Sequence, residues 1–225
     1  MTDVTEDGSQ APARRLTPRG AATKARIVEA ADQLMYEHGV ASTTLAEVRA
    51  ASGTSRSQLY QHFADKDALV AAVIAARAEI VLTQQRRRLV RVNSLRGLEL
   101  WRDELVERNA LRNGAYGCPL GALANEIADH DEGSRRTIAT HFETWLDLLI
   151  DAMEAMKRHK ALRVEADSRV LATGLLAALQ GGYLLAKTAR DVRPMRLVLD
   201  MAIAQVRVHG TGKDLPQDGP GRGHG

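Results

Sequence analysis

The densest run of side chains able to recognise another molecule lies between Thr44 and Lys66. Ser55, Arg56, Ser57, Gln58, Tyr60, Gln61 and His62 surround two apolar anchors, Leu59 and Phe63, spaced as i and i+4. On a helix that spacing puts both anchors on one face and leaves the donors and acceptors on the other. Such groups suit base edges and phosphates. Arg56 can fork onto guanine, and Gln58 onto adenine. Thr44 and Lys66 stand at expected helix N-termini, where backbone N–H groups and the helix dipole draw phosphate. Any one of these side chains could equally be a solvated residue on a surface helix.

That chemistry needs two short helices joined by a tight turn, and the flanking residues supply them. Thr44 followed by Glu47 reads as a capping box opening one helix, with Leu45 and Val48 inward. Gly53 breaks that helix and provides the turn, and Ser55 caps the next. The arrangement is a helix-turn-helix, whose second helix lies in the major groove. A helix from about Arg19 to His38 precedes it, with Ile27, Ala30, Ala31, Leu34 and Met35 on one face and Gly39 at its end. Asp65 caps a following helix, Lys66 to about Val92.

Beyond that point the pattern stays helical, at about Leu95–Leu111, Pro119–Asp129, Glu132–His159, Asp167–Ala189 and Arg193–Val208. Ile138, Phe142, Trp145, Leu146, Leu149, Ile150 and Met153 follow a 3.6-residue period. The last two helices are apolar on more than one side, so each must be buried on more than one face. No alternating strand pattern is present, and the fold class is all-α. The domain reading is a flexible arm over 1–18, a DNA-binding domain over 19–65, a second helical domain over 66–208 and a Gly- and Pro-rich disordered tail over 209–225.

Composition narrows the function. The 225 residues are 44% hydrophobic and 26% charged, with a net charge of +3, the range of an ordinary soluble domain. The one cysteine excludes an internal disulfide framework. No apolar run approaches the roughly 20 residues of a membrane helix. Met1–Gln10 is acidic and polar, without the apolar core of a secretory signal, so a cytoplasmic protein is expected. Nucleophile elbow, phosphate loop and dinucleotide fingerprint are all missing, so an enzyme is not expected. The histidines have no metal-site spacing, and neither metal nor cofactor is expected. A protein-interaction module that merely keeps the helix-turn-helix as scaffold is disfavoured by the intact Arg56, Gln58, Tyr60 and Lys66.

Thr23-Lys-Ala-Arg-Ile-Val, Glu37-His-Gly, Thr43-Thr-Leu and Gly53-Thr-Ser-Arg-Ser-Gln-Leu-Tyr-Gln-His-Phe-Ala-Asp-Lys-Asp-Ala-Leu69 together resemble the TetR/AcrR family of bacterial repressors. The specific part is Leu-Tyr-x-x-Phe-x-x-Lys-x-x-Leu after a turn glycine, and the likeness spans about Thr23 to Val73. It implies phosphate contacts by Thr44, Tyr60, His62 and Lys66, with Ser55, Arg56, Ser57 and Gln58 at or near bases. One departure is Arg49, where many helix-turn-helices carry a small residue. Its side chain either lies along the surface or widens the helix crossing.

The second half carries further resemblance. Gly117-Cys-Pro-Leu-Gly-Ala-Leu-Ala-Asn-Glu126 and Leu175-Leu-Ala-Ala-Leu-Gln-Gly-Gly-Tyr-Leu-Leu-Ala186 are similar to a TetR subgroup with a Gly-Cys motif opening its sixth helix. The family implies a C-terminal effector-binding and dimerisation domain whose last two helices pair across a two-fold axis. Ala177, Ala178, Gly181 and Gly182 would allow close helix approach, with Leu184, Leu197, Met201 and Val208 as seam residues or as plain monomer core. Trp101, Tyr116, Phe142, Trp145, Gln180 and Tyr183 are effector-pocket candidates, each of which could also be ordinary core. Cys118 joins them. Preceding Pro119 at a helix start, its thiolate would be stabilised, which suits an oxidant or electrophile sensor. The other reading is a small buried residue shaping the helix start. The expected function is a homodimeric repressor that binds palindromic operator DNA and is released by a small-molecule effector, the alternative being release through Cys118.

Overall fold

The computed structural model describes residues 17–111, 113–115, 117–127 and 131–212. These residues form α1 (Pro18–His38), α2 (Leu45–Ser52), α3 (Arg56–His62), α4 (Lys66–Leu89), α5 (Leu95–Ala110), α6 (Pro119–Ile127), α7 (Glu132–Arg158), α8 (Ser168–Ala189) and α9 (Arg193–Val208). There is no strand among them, only an isolated antiparallel bridge between Leu162 and Gly210. The all-α class follows from the near-continuous 3.6-residue patterning and the scarcity of β-branched runs.

The chain divides into two compact units, one through Val73 and one from Ile74. Sequence reading puts the boundary after Asp65. The first two turns of α4, with buried Leu69, Val70 and Val73, fall in the first unit. The first unit closes on Ile27, Ala31 and Met35 of α1, Val48 of α2, and Leu59 and Phe63 around α3. Thr17 caps α1 by accepting from the Gly20 N–H, and Pro18 takes the first helical position. The arm reading over 1–18 is therefore corrected at its last two residues, and 1–16 lie outside the described residues.

In the second unit α8 packs against both α7 and α9, and α5 against α9. Trp145, Leu149, Met153 and Met156 of α7, Leu175 and Leu179 of α8, and Leu199 of α9 are almost fully buried. Of the periodic α7 stripe, Phe142 and Ile150 stay half-buried. At Gly182 an added Cβ would stand 3.1 Å from Met195 Cα, so α8 and α9 cross with almost no space there. By length and composition α8 could span a membrane, unlike the reading of the sequence, yet here it is a packed helix of the bundle.

The tail reading is also corrected in part. The Arg163 N–H donates to His209 O at 2.9 Å and the Thr211 N–H to Ala161 O at 3.2 Å, pinning residues 209–212 to the α7–α8 connection. Residues 213–225 lie outside the described residues.

Candidate functional site

The recognition segment is built by two successive capping boxes. Thr44 Oγ1 accepts from the Glu47 N–H at 3.2 Å, while the Glu47 carboxylate accepts from Thr44 N–H and O–H at 2.8 and 2.7 Å. Those bonds from Thr44 hold the Glu47 carboxyl below its usual range. Gly53 closes α2 at φ +63°, a left-handed conformation that a side chain disfavours. A buried hydrogen bond of 2.9 Å between the Ser52 and Thr54 hydroxyls ties the turn together. Ser55 then caps α3, accepting from the Gln58 N–H at 3.1 Å, and Gln58 Oε1 accepts from the Ser55 N–H at 2.9 Å.

Leu59 and Phe63 are buried, and Arg56, Ser57, Gln58, Tyr60 and Gln61 are exposed on the same short helix. Their separation is the i, i+4 anchoring read from the sequence. His62 is half-buried. The Arg56 guanidinium carbon lies 5.7 Å from the Tyr60 ring centre, a cation–π approach that pre-orders the arginine. Lys66 Nζ donates to Ala41 O at 3.0 Å and so fastens the start of α4 to the α1–α2 connection. Gln58 differs from its sequence reading in one respect. A bidentate grip on adenine needs both its amide oxygen and nitrogen, and here the oxygen serves the cap. Arg49 is exposed, so its side chain lies on the surface.

The second unit holds a cavity of about 110 Å³ between α4, α5, α7, α8 and the start of α6. Of the sequence candidates, Cys118, Trp145 and Tyr183 line it. Cys118, Tyr183, Phe142 and Gln180 line an adjoining open cleft of about 380 Å³. Phe142 stacks on Trp145 with ring centres 6.3 Å apart and planes within 3°. Trp101 lines neither space. It is core, with its indole N–H donated to Gln85 Oε1 at 3.1 Å. Tyr116 lies outside the described residues.

Sequence reasoning missed the polar wall, made of Gln84, Gln85 and Arg88 on α4 with Arg108 and Asn109 on α5. A signal existed. Gln85 and Asn109 occupy buried positions in otherwise apolar stripes, Val81–Leu82–Gln85–Leu89 and Leu105–Val106–Asn109. Buried amides at core register require a partner. Asn109 Nδ2 donates to Met195 Sδ at 3.2 Å, whereas Asn109 Oδ1, Trp145 Nε1 and Gln180 Nε2 are buried without a hydrogen-bond partner among the described residues.

Cys118 sits at the N-terminus of α6, and the Gly121 N–H donates to its sulfur at 3.3 Å. The helix start thus favours thiolate as expected, but the residue is only 6% exposed. Burial outweighs the helix N–H groups and pushes the thiol up from its ordinary pKa. Burial therefore disfavours the reactive-thiol reading, since a neutral buried thiol is a poor nucleophile. Burial likewise pushes the Tyr183 phenol up to about 12.

The seam candidates divide in the isolated chain. Leu184, Leu197, Met201 and Val208 are 59–64% exposed, Ala178 is half-buried and Gly182 is buried. Gly182 is corrected as a seam residue because its bare face meets Met195 of its own chain. Gly174 and Gly181 are the glycines of α8 that face open space.

Residues 27–73 match the family described as bacterial regulatory proteins, tetR family. Residues 95–201 match the C-terminal domain described as transcriptional regulator LmrA/YxaF-like. An uncharacterised helix-turn-helix-type transcriptional regulator in the lacX 3′ region of Lactococcus lactis subsp. lactis is 27% identical over 184 residues, covering 80% of this chain and 90% of that protein. The uncharacterised regulator YxaF of Bacillus subtilis (strain 168) is 25% identical over 198 residues, 87% of this chain and 100% of the relative. In structure, a TetR-family regulator from Cytophaga hutchinsonii superposes with a TM-score of 0.72 at 20% identity, covering 87% of this chain and 99% of that one, which shows the shared fold.

Proposed function

The chain belongs to the TetR family of bacterial transcriptional regulators, and from that premise we propose that it is a homodimeric repressor binding palindromic operator DNA and released by a small-molecule effector. The observation that carries the DNA-binding part is α3, a short helix fixed by a double cap, with two buried anchors beneath an unbroken polar face. Arg56, Ser57, Gln58 and Ser55 meet base edges, Gln58 through its amide N–H or after giving up its cap. Thr44, Tyr60, His62 and Lys66 hold the phosphates that set register.

A single two-turn helix reads too few bases for a selective regulator, and a two-fold pair reads two half-sites roughly one DNA turn apart. Support for the pair comes from α8 and α9. Val170, Leu184, Leu185, Leu197, Met201 and Val208 all stay about half exposed or more in the single chain, a concentration of exposed apolar side chains on two packed helices of the kind that marks an interaction surface. Exposed Gly174, Ala177 and Gly181 along α8 let a partner helix come close.

The cavity in the second unit is the effector site. α4 opens at Lys66, beside the recognition helix in sequence, and its later residues Ile80 to Arg88 line that cavity. A ligand that favours one setting of α4 shifts the population between operator-binding and released dimers. Operator must then weaken effector binding by the same factor. The protein acts in the cytoplasm, where its operator is.

Selection from random DNA followed by sedimentation of the complex tests this reading. The expected result is one enriched palindrome bound by two copies. A chain that sediments alone and enriches no sequence at moderate salt refutes it.

A further inference from the structure

The charge on the cavity lining is one-sided. Among the described residues Arg88 and Arg108 line it and no carboxylate does. The Arg88 side chain is 10% exposed, and its Nε donates to Glu104 at 2.6 Å, so that charge has a counter-ion. Arg108 is exposed at the mouth and donates to the neutral Gln84 amide oxygen at 2.9 Å. No carboxylate pairs with Arg108 among the described residues, leaving its charge uncompensated. Deeper in, Trp145 is almost fully buried and its indole N–H has no hydrogen-bond partner among the described residues. The buried Asn109 amide oxygen on the same lining is also without a hydrogen-bond partner among the described residues, so the wall presents both an unmet donor and an unmet acceptor, and its polar atoms alone do not select the ligand.

The rest of the wall sets the amides of Gln84, Gln85 and Asn109 beside an apolar side. Ile80, Val81 and Leu105 face the space with the Trp145 ring. A dry cavity of about 150 Å³ in another protein binds benzene, so the 110 Å³ here, beside the open cleft that shares Gly117, Cys118 and Tyr183 with it, is on the scale of a single ring. A positive mouth and a ring-sized apolar side together define an occupant.

We propose that this cavity takes a single-ring aromatic carboxylate, with the carboxylate held at Arg108 and the ring against Trp145 and Leu105. The proposal rests on the effector reading above and names the class of molecule that site receives. Charge-assisted bonds from a guanidinium to a carboxylate are about twice as strong as neutral ones. Discrimination between the acid and its uncharged amide should therefore be large.

Calorimetric titration of the full chain with benzoate, benzamide and acetate tests the proposal, with tryptophan fluorescence as a second readout. Benzoate is expected to bind at least about ten-fold more tightly than benzamide, which has the shape without the charge, and than acetate, which has the charge without the ring. Arg108→Gln changes an exposed side chain, so it should leave the fold intact. It should remove the advantage of benzoate and spare benzamide. Equal affinity for benzoate and benzamide, undiminished benzoate binding by Arg108→Gln, or no binding at millimolar benzoate overturns the proposal. Operator release is measured separately on the selected DNA. Benzoate that binds through Arg108 without loosening operator supports the ligand class and refutes the effector reading. Release by uncharged compounds alone does the reverse.

Discussion

Met201→Glu should separate the proposed dimer without unfolding the protomer. In the isolated chain Met201 is 64% exposed and lies on the outer face of α9, one turn from Leu197. Full burial of such a side chain is worth about 1.5–3 kcal/mol, so the surface still free supplies roughly 1–2 kcal/mol per copy when a partner covers it. Across a two-fold axis the substitution acts twice, removing roughly 2–4 kcal/mol and adding two like charges in an apolar seam. Dimer affinity should fall by at least roughly 30- to 700-fold. Analytical ultracentrifugation from nanomolar to micromolar protein measures it. Thermal unfolding at low protein concentration should match that of dissociated wild type, because Met201 contributes little to its own core. Operator affinity should drop with dimer population and recover at high protein concentration. A Met201→Glu protein that stays dimeric at nanomolar concentration would refute the assignment of this face. A Met201→Glu protein that melts early even as a monomer would show that the residue holds its own chain together.

Three further outcomes are expected. Arg56→Ala should lose about 1–3 kcal/mol of discrimination at one base position, while Lys66→Ala should weaken all sequences alike and lower the salt slope by about one, both read by binding titrations across salt concentrations. Gly182→Ala should lower stability by up to about 2 kcal/mol net, because its Cβ would stand 3.1 Å from Met195 Cα and crowd the α8–α9 crossing by more than the roughly 1 kcal/mol that alanine adds to a helix interior. Chemical denaturation measures that loss, and an unchanged midpoint would show that the crossing relaxes freely. Alkylation of Cys118 by iodoacetamide should be slow at neutral pH and keep accelerating above the pH at which an ordinary thiol levels off, since burial raises its pKa. A fast, pH-flat reaction at neutral pH would contradict the buried thiol.

Much of the recognition unit was legible because its determinants are local. A capping box needs residues only three apart, a left-handed turn needs one glycine, and two anchors at i and i+4 orient a short helix whatever surrounds it. Thr44, Gly53, Ser55, Leu59 and Phe63 therefore stand in the structure as their spacing implies. Gln58 shows the limit of that logic. Its type suits a base edge, but the same local geometry that makes the cap also occupies its carbonyl.

The cavity depended on which residues distant in sequence come together, and no period encodes that. Trp101 and Trp145 are both buried aromatics on helical stripes, yet packing leaves one against Gln85 and the other on the cavity wall. Arg88 and Arg108 read as solvated charges until α4 and α5 bring them to one lining. Cys118 carried two opposing influences. Its place at a helix start was visible in the residue before a proline, but the burial that overrides it comes from side chains brought in by tertiary packing. Gly182 and Gly181 are adjacent and identical in type, and only the crossing of α8 with α9 decided which meets its own chain and which faces out. Helix identity, caps and turns thus followed from interactions within a few residues. Cavity chemistry, thiol state and the free apolar face were decided by contacts that the folded chain alone creates.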